Sequence, residues 1–153
     1  MILCSSLITL VILGQARAPI ERWPTGWLTP AEISQVENAV RPDARIKVYE
    51  SASKRHRDSL HASAKKHDFT DVPARLNAWL GLLEFSLKDI QANINPKKKS
   101  KALIKYEIQL RKAILDVQAI KLQATVEHQE AFDSFLGRAE AVRKKFVDIL
   151  FQR

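Results

Sequence analysis

A chain of 153 residues with a formal net charge of +8 fits a single domain and is long enough to bury a core without covalent staples. One cysteine excludes an internal disulfide framework. The chain is 46% hydrophobic but only 7% aromatic, with four glycines, which describes an all-α protein rich in Leu, Ile and Ala.

Residues Ile2 to Leu13 form an almost unbroken apolar run, and Gln15-Ala16-Arg17-Ala18 follows with small residues at both positions that a signal peptidase reads. This is the pattern of a secretory signal peptide over residues 1–18, with export, cleavage near Ala18 and a mature chain starting near Pro19. No Lys or Arg precedes the run, so only the amino terminus supplies positive charge there. A membrane anchor is the alternative reading, but roughly a dozen apolar residues fall short of the ~20 a helix needs to cross a bilayer. Leu3 argues against lipid modification of Cys4, where a small residue normally precedes the cysteine, so the only thiol departs with the signal. A basic protein outside the cytoplasm meets anionic lipid, wall polymer or acidic proteins far more often than nucleic acid. The expected partners are therefore a protein or an anionic envelope surface, with no nucleic acid and no transmembrane span in the mature chain. The same charge also serves plain solubility.

Residues 19–28 hold two prolines, a glycine, Trp23 and Trp27, and read as an extended arm ahead of a single helical domain over 29–153. The two tryptophans are candidate contacts for a partner or interface, against the alternative that they fold back over the nearest bundle end. Thr29, Pro30 and Glu32 have the spacing of a capping box with proline at the first helical position, and Leu28 and Ile33 that of a hydrophobic staple. They predict a short helix from Pro30 to about Val40. Arg41-Pro42 ends it and starts another running to about Lys66, with a thin stripe through Ala44 or Ile46, Tyr49, Ala52, His56, Leu60 and Ala64. Asp68 to Asp71 breaks the pattern and Pro73 restarts it. The strongest stripe follows to about Ile94 through Leu76, Leu80, Leu83, Leu87 and Ile90, widened by Trp79 and Leu82.

Asn93 to Ser100 reads as a turn carrying Pro96 and the run Lys97-Lys98-Lys99, with Ser100 placed to cap the next helix. The seam continues through Leu103, Tyr106 or Glu107, Leu110, Ile114, Val117, Ile120 and Ala124, then Phe132, Phe135, Ala139, Val142, Phe146 and Ile149. A single helix over 101–151 would be a rod of about 75 Å, far longer than its partners. A turn near Thr125 to Glu130 is expected instead, which makes the fold an up-and-down bundle of four long helices preceded by a short N-terminal helix.

The stretch Leu28 to Arg57, with its Leu-Thr-Pro opening and the step Asp43-x-Arg45-Ile46, resembles secreted helical proteins of acidobacteria that carry no known activity. The pentapeptide Leu28-Thr29-Pro30-Ala31-Glu32 is similar to the Leu-Thr-x-x-Gln motif of the small periplasmic stress chaperones of the Spy and CpxP type. Glu stands here for Gln, and one copy stands for the usual two. That resemblance implies a holdase working on unfolded chains.

No Gly-rich phosphate loop, no Gly-x-Ser-x-Gly elbow and no His-Glu-x-x-His occurs in the chain. Asp58-x-x-His61 has metal-ligand spacing but no second copy, and His56 reads as a stripe residue with a satisfied ring. No catalytic residue, cofactor or metal site is expected, so the chain reads as non-enzymatic. Lys97, Lys98, Lys99 and Lys101, close together at one end of the bundle, are the candidate contact for an anionic surface, with Trp23 and Trp27 as the second. The expected role is an interaction or structural protein of the cell envelope binding a macromolecular partner, with a periplasmic holdase as the alternative.

Overall fold

A computed structural model describes residues 23–152. The apolar run, the expected cleavage site near Ala18, the first residues of the arm and Arg153 lie outside the described residues. Five helices and no strand occur among the described residues: α1 (Pro30–Asn38), α2 (Pro42–Lys65), α3 (Val72–Asn93), α4 (Lys101–Lys121) and α5 (Val126–Phe151).

Local chemistry sets most of the boundaries. At α1 the Thr29 hydroxyl accepts from the Glu32 N–H at 3.2 Å and the Glu32 carboxylate accepts from the Thr29 N–H at 2.7 Å, the reciprocal box that satisfies two otherwise orphaned donors. Helix α1 stops at Asn38, slightly before Val40, and Pro42 opens α2 with no side-chain cap. At the far end of α2, His67 takes φ 51°, a left-handed conformation usually left to glycine. Its N–H reaches the Ala64 carbonyl at 3.0 Å and that of Asp68 reaches Ser63 at 3.1 Å, which closes the helix with a Schellman pair. Ser100 Oγ caps α4 by accepting from the Leu103 N–H at 3.1 Å.

Residues 101–151 form two helices. The break covers Leu122 to Thr125, a few residues ahead of the expected position. Thr125 is extended, with ψ 160°, and acts as N-cap, so the polar cluster that follows it is the first turn of α5 and not the loop. Gln129 Nε2 donates to the carbonyls of Lys121 and Ala124, each at 3.0 Å, and so holds the turn from the helix that follows.

The core is one cluster running from Leu28 to Ile149. Its largest fully buried side chains are Trp79, Tyr49, Tyr106, Phe132, Phe135 and Phe146. The polar atoms of Trp79, Ser53, Ser86 and Tyr106 inside it are paired: Trp79 Nε1 donates to Ser53 Oγ at 2.8 Å, and Ser86 Oγ donates to the Leu83 carbonyl at 2.8 Å beside the Tyr106 hydroxyl. Burial pushes the Tyr49 and Tyr106 phenols well above their ordinary range; at Tyr49 the Asp89 carboxylate adds to the effect.

Around this core α2 packs on α3 and α4, α5 packs on α3 and α4, and α1 packs on α2 alone. Helices α3 and α4, consecutive in the chain, lie diagonally across the bundle and meet through side chains inside the core, where Ser86 reaches the Tyr106 hydroxyl at 3.1 Å. Side-chain pairs give the directions. Asp43 meets Ser100 and Asp116 meets Arg57, so α2 and α4 run parallel. Arg45 near the start of α2 meets Asp89 near the end of α3, and Glu107 in the first half of α4 meets Arg143 in the second half of α5, so both of these neighbouring pairs are antiparallel and α3 and α5, joined by Glu84–Arg138, run parallel.

Candidate functional site

The end of the bundle that gathers the starts of α2 and α4 and the ends of α3 and α5 is basic. The turn there is stiffened from within: Asn95 Oδ1 accepts from the Lys97 N–H at 3.0 Å and the Asn95 carbonyl accepts from the Lys98 N–H at 3.1 Å. Ser100, besides capping α4, donates from Oγ to Asp43 Oδ1 at 2.7 Å and ties the turn to the start of α2. Lys97, Lys98, Lys99 and Lys101 are all exposed, and none makes an ion pair among the described residues.

Two acids close to these lysines in sequence are engaged elsewhere. Asp89 accepts from Arg45 Nε at 2.8 Å and from the Tyr49 hydroxyl at 2.9 Å, and Glu107, only 8% exposed, accepts from Arg143 at 2.9 Å. Arg143 also grips Glu140 with two further hydrogen bonds, and that guanidinium holds the Glu140 carboxyl below the usual range. A cleft of about 310 Å³ opens beside the turn, lined by Arg41, Asp43, Ile94, Lys98, Lys99 and Ser100. Arg41 is the residue that sequence reasoning missed. It sits more than fifty positions from the lysines, and only the meeting of the two helix starts brings it to them.

Trp23 and Trp27 are not at this end. Both lie half-buried along the flank made by α2 and α3, where Trp23 meets Phe85 edge-on at 4.6 Å and Trp27 lies 6.2 Å from the same ring. Trp27 covers Gly81 so closely that any Cβ there would enter its ring. The arm is fixed by polar contacts as well. Arg55 donates to both Glu32 oxygens and to the Trp27 carbonyl, and Trp23 Nε1 donates to Glu37 at 3.4 Å. Partial burial would raise the Glu32 carboxyl, but bonds from Arg55 and the Thr29 backbone outweigh it and keep Glu32 below the usual range. The tryptophans thus fold back, on a flank and not over a bundle end.

His56 is buried beneath the arm, with Nε2 3.0 Å from the Trp27 carbonyl and its ring stacked on Trp79. Burial lowers its pKa, so the neutral ring donates Nε2–H to that carbonyl. Asp58 and His61 go to separate partners, Lys54 and Asp116, and no group of three metal-binding side chains occurs among the described residues. No helix among the described residues is long and apolar enough to cross a membrane.

The class of protein defined here is an all-helical one with a basic end. Compared with family models, characterised proteins and solved structures, the chain matches none.

Proposed function

We propose that this chain is a non-enzymatic, exported protein of the cell envelope whose basic end binds an anionic surface or partner. In this reading residues 1–18 are a signal peptide, and the four long helices are an up-and-down bundle serving as a scaffold. One observation carries the proposal: Lys97, Lys98, Lys99 and Lys101 stand exposed at one end, joined by Arg41, while Asp89 and Glu107 are engaged by other side chains. Concentrated unpaired charge at a rigid tip attracts anionic polymers and surfaces, at roughly 1 kcal/mol per residue close to anionic lipid.

The test is replacement of the four lysines by glutamine, with binding to isolated anionic wall polymer and envelope fractions measured over a salt series. Loss of binding with unchanged helicity is expected; binding equal to wild type at every salt concentration overturns the reading. Export is checked by intact mass, which should match a chain beginning at Pro19 in the native host. A holdase, the role implied by the Leu28–Glu32 resemblance, would suppress aggregation of several unrelated clients, whereas a dedicated partner appears as one stoichiometric species in a pull-down. In the structure the Thr29 and Glu32 side chains are occupied in capping α1, and this favours the dedicated-partner reading.

A further inference from the structure

The order of the helices around the core sorts charge as well as apolar faces. Helix α2 carries six basic and three acidic residues and α4 five and two, whereas α3 carries two of each and α5 four basic and five acidic. Because α2 packs beside α4 and α3 beside α5, the excess positive charge collects on one layer. Three of the five acids of that layer are drawn into its seams, where Glu50 faces Lys105, Asp116 takes Arg57 and His61, and Glu107 turns to Arg143 of α5, while Asp43 is held by Ser100 and Asp58 stays exposed beside Lys54. Lys101, Arg111 and Lys112 of α4 remain exposed, with no ion pair among the described residues.

Between these cations runs an apolar stripe that no described residue covers. Ile104, Leu115 and Leu122 are 37%, 61% and 86% exposed, with Ile108 half-buried between the first two. At 100° per residue their spacing keeps all four within about 40° of one another on the outer face of α4. Val126, 89% exposed, follows Leu122 across the turn. Helix α1 lies on α2 and leaves this face bare. A second copy of the chain docked here would set Lys101, Arg111 and Lys112 against the same three cations, so charge opposes self-association. A bilayer with anionic headgroups satisfies both features at once, since phosphates meet the cations while the leucines enter the headgroup layer.

We propose that the α2/α4 layer docks flat on an anionic phospholipid bilayer, with Ile104, Leu115 and Leu122 entering it. This rests on the reading of Lys97 to Lys101 as an anionic-surface contact, and it adds the identity of the surface and the side chains that penetrate it. Charge alone would leave the protein fully removable by salt, because screening acts within about 10 Å at 0.1 M. Inserted leucines are not screened.

The experiment is co-sedimentation of the protein from its native host with vesicles of phosphatidylcholine containing one third phosphatidylglycerol, and with phosphatidylcholine alone. Wild type, Leu115→Ser/Leu122→Ser, each single serine variant and the four-lysine glutamine variant are compared across a salt series. All share the same N-terminal residues, so differences report on α4 and the basic end. Expected are binding to the anionic vesicles only, and a loss of roughly tenfold in the double serine variant, an amount set by the apolar area withdrawn. The residual binding of that variant should vanish with salt. If the lysine variant fails to bind and the serine variants bind like wild type, insertion is overturned and the basic-end reading stands. If neither set alters binding, both are overturned. Binding to wall polymer or to one envelope protein, with none to vesicles, overturns the bilayer proposal alone. So does a dimer in solution that the double serine variant dissolves.

Discussion

The two flanks of the bundle differ in what lies over their outer apolar residues. On the α2/α3 flank, Phe85 points outward and is met by Trp23 and Trp27, with Arg55 and Glu32 clamping the arm and α1 in place. On the α4 flank, Leu115 and Leu122 point outward and stay largely exposed among the described residues. Both flanks belong to helices that bury an equally continuous inner stripe. The difference teaches that an apolar outer residue says little until its cover is known: on one flank the arm supplies that cover, and on the other no described residue does.

Four changes break or sharpen this contrast. The largest effect belongs to the core that both flanks share. Leu83 is fully buried, so Leu83→Ala should cost about 2 to 5 kcal/mol in denaturant unfolding, while Lys88→Ala on the exposed side of α3 should stay within about 0.5. Equal effects would mean that the inner stripe does not form the core.

The next change strips the cover from one flank. Gly81→Val puts a side chain where the Trp27 ring lies, and should destabilise by about 1 to 3 kcal/mol with a red shift of tryptophan emission as the arm lifts. Gly137, mid-helix in α5 with open space around its Cα, is the control: Gly137→Ala should stabilise by about 0.5 to 1 kcal/mol, the ordinary gain in helix propensity. A gain at both positions would show that the arm does not rest on Gly81.

A smaller effect is confined to acid. His56 has a pKa lowered from 6.5 by burial, so the unfolded chain takes up its proton before the folded one does. Its contribution is whole above the unfolded value of 6.5 and is lost as pH falls through the lower folded value. Urea unfolding at about pH 7 and pH 5 should therefore show a steeper loss in wild type than in His56→Gln, with Trp27 released first. Parallel losses would place His56 in water and loosen the arm's polar tie.

The smallest effect is expected on the bare flank. Leu115→Ser and Leu122→Ser should each change stability by less than about 0.5 kcal/mol, because little area is withdrawn from a folded interior. A melting temperature well below wild type would show that the stripe is covered within the molecule after all.

Much of the fold is legible in the order of residues because its causes are local. Thr29, Pro30 and Glu32 act within one turn of each other, Ser100 within another, and every inner stripe repeats at helical spacing. The break between α4 and α5 was less legible, since Thr125 and the polar residues after it serve equally as a loop or as a capped first turn. The lysine run was plain in the sequence, but that it makes no ion pair among the described residues goes with long-range contacts in which Arg45 takes Asp89, Arg143 takes Glu107 and Ser100 takes Asp43. Periodicity tells which side of a helix is apolar and not which helix will face it. Only packing decided that α2 lies beside α4, bringing Arg41 to Lys98 and Lys99 and their positive charges onto one layer, because that choice is made by contacts such as Asp43 with Ser100 and Arg57 with Asp116, more than fifty residues apart.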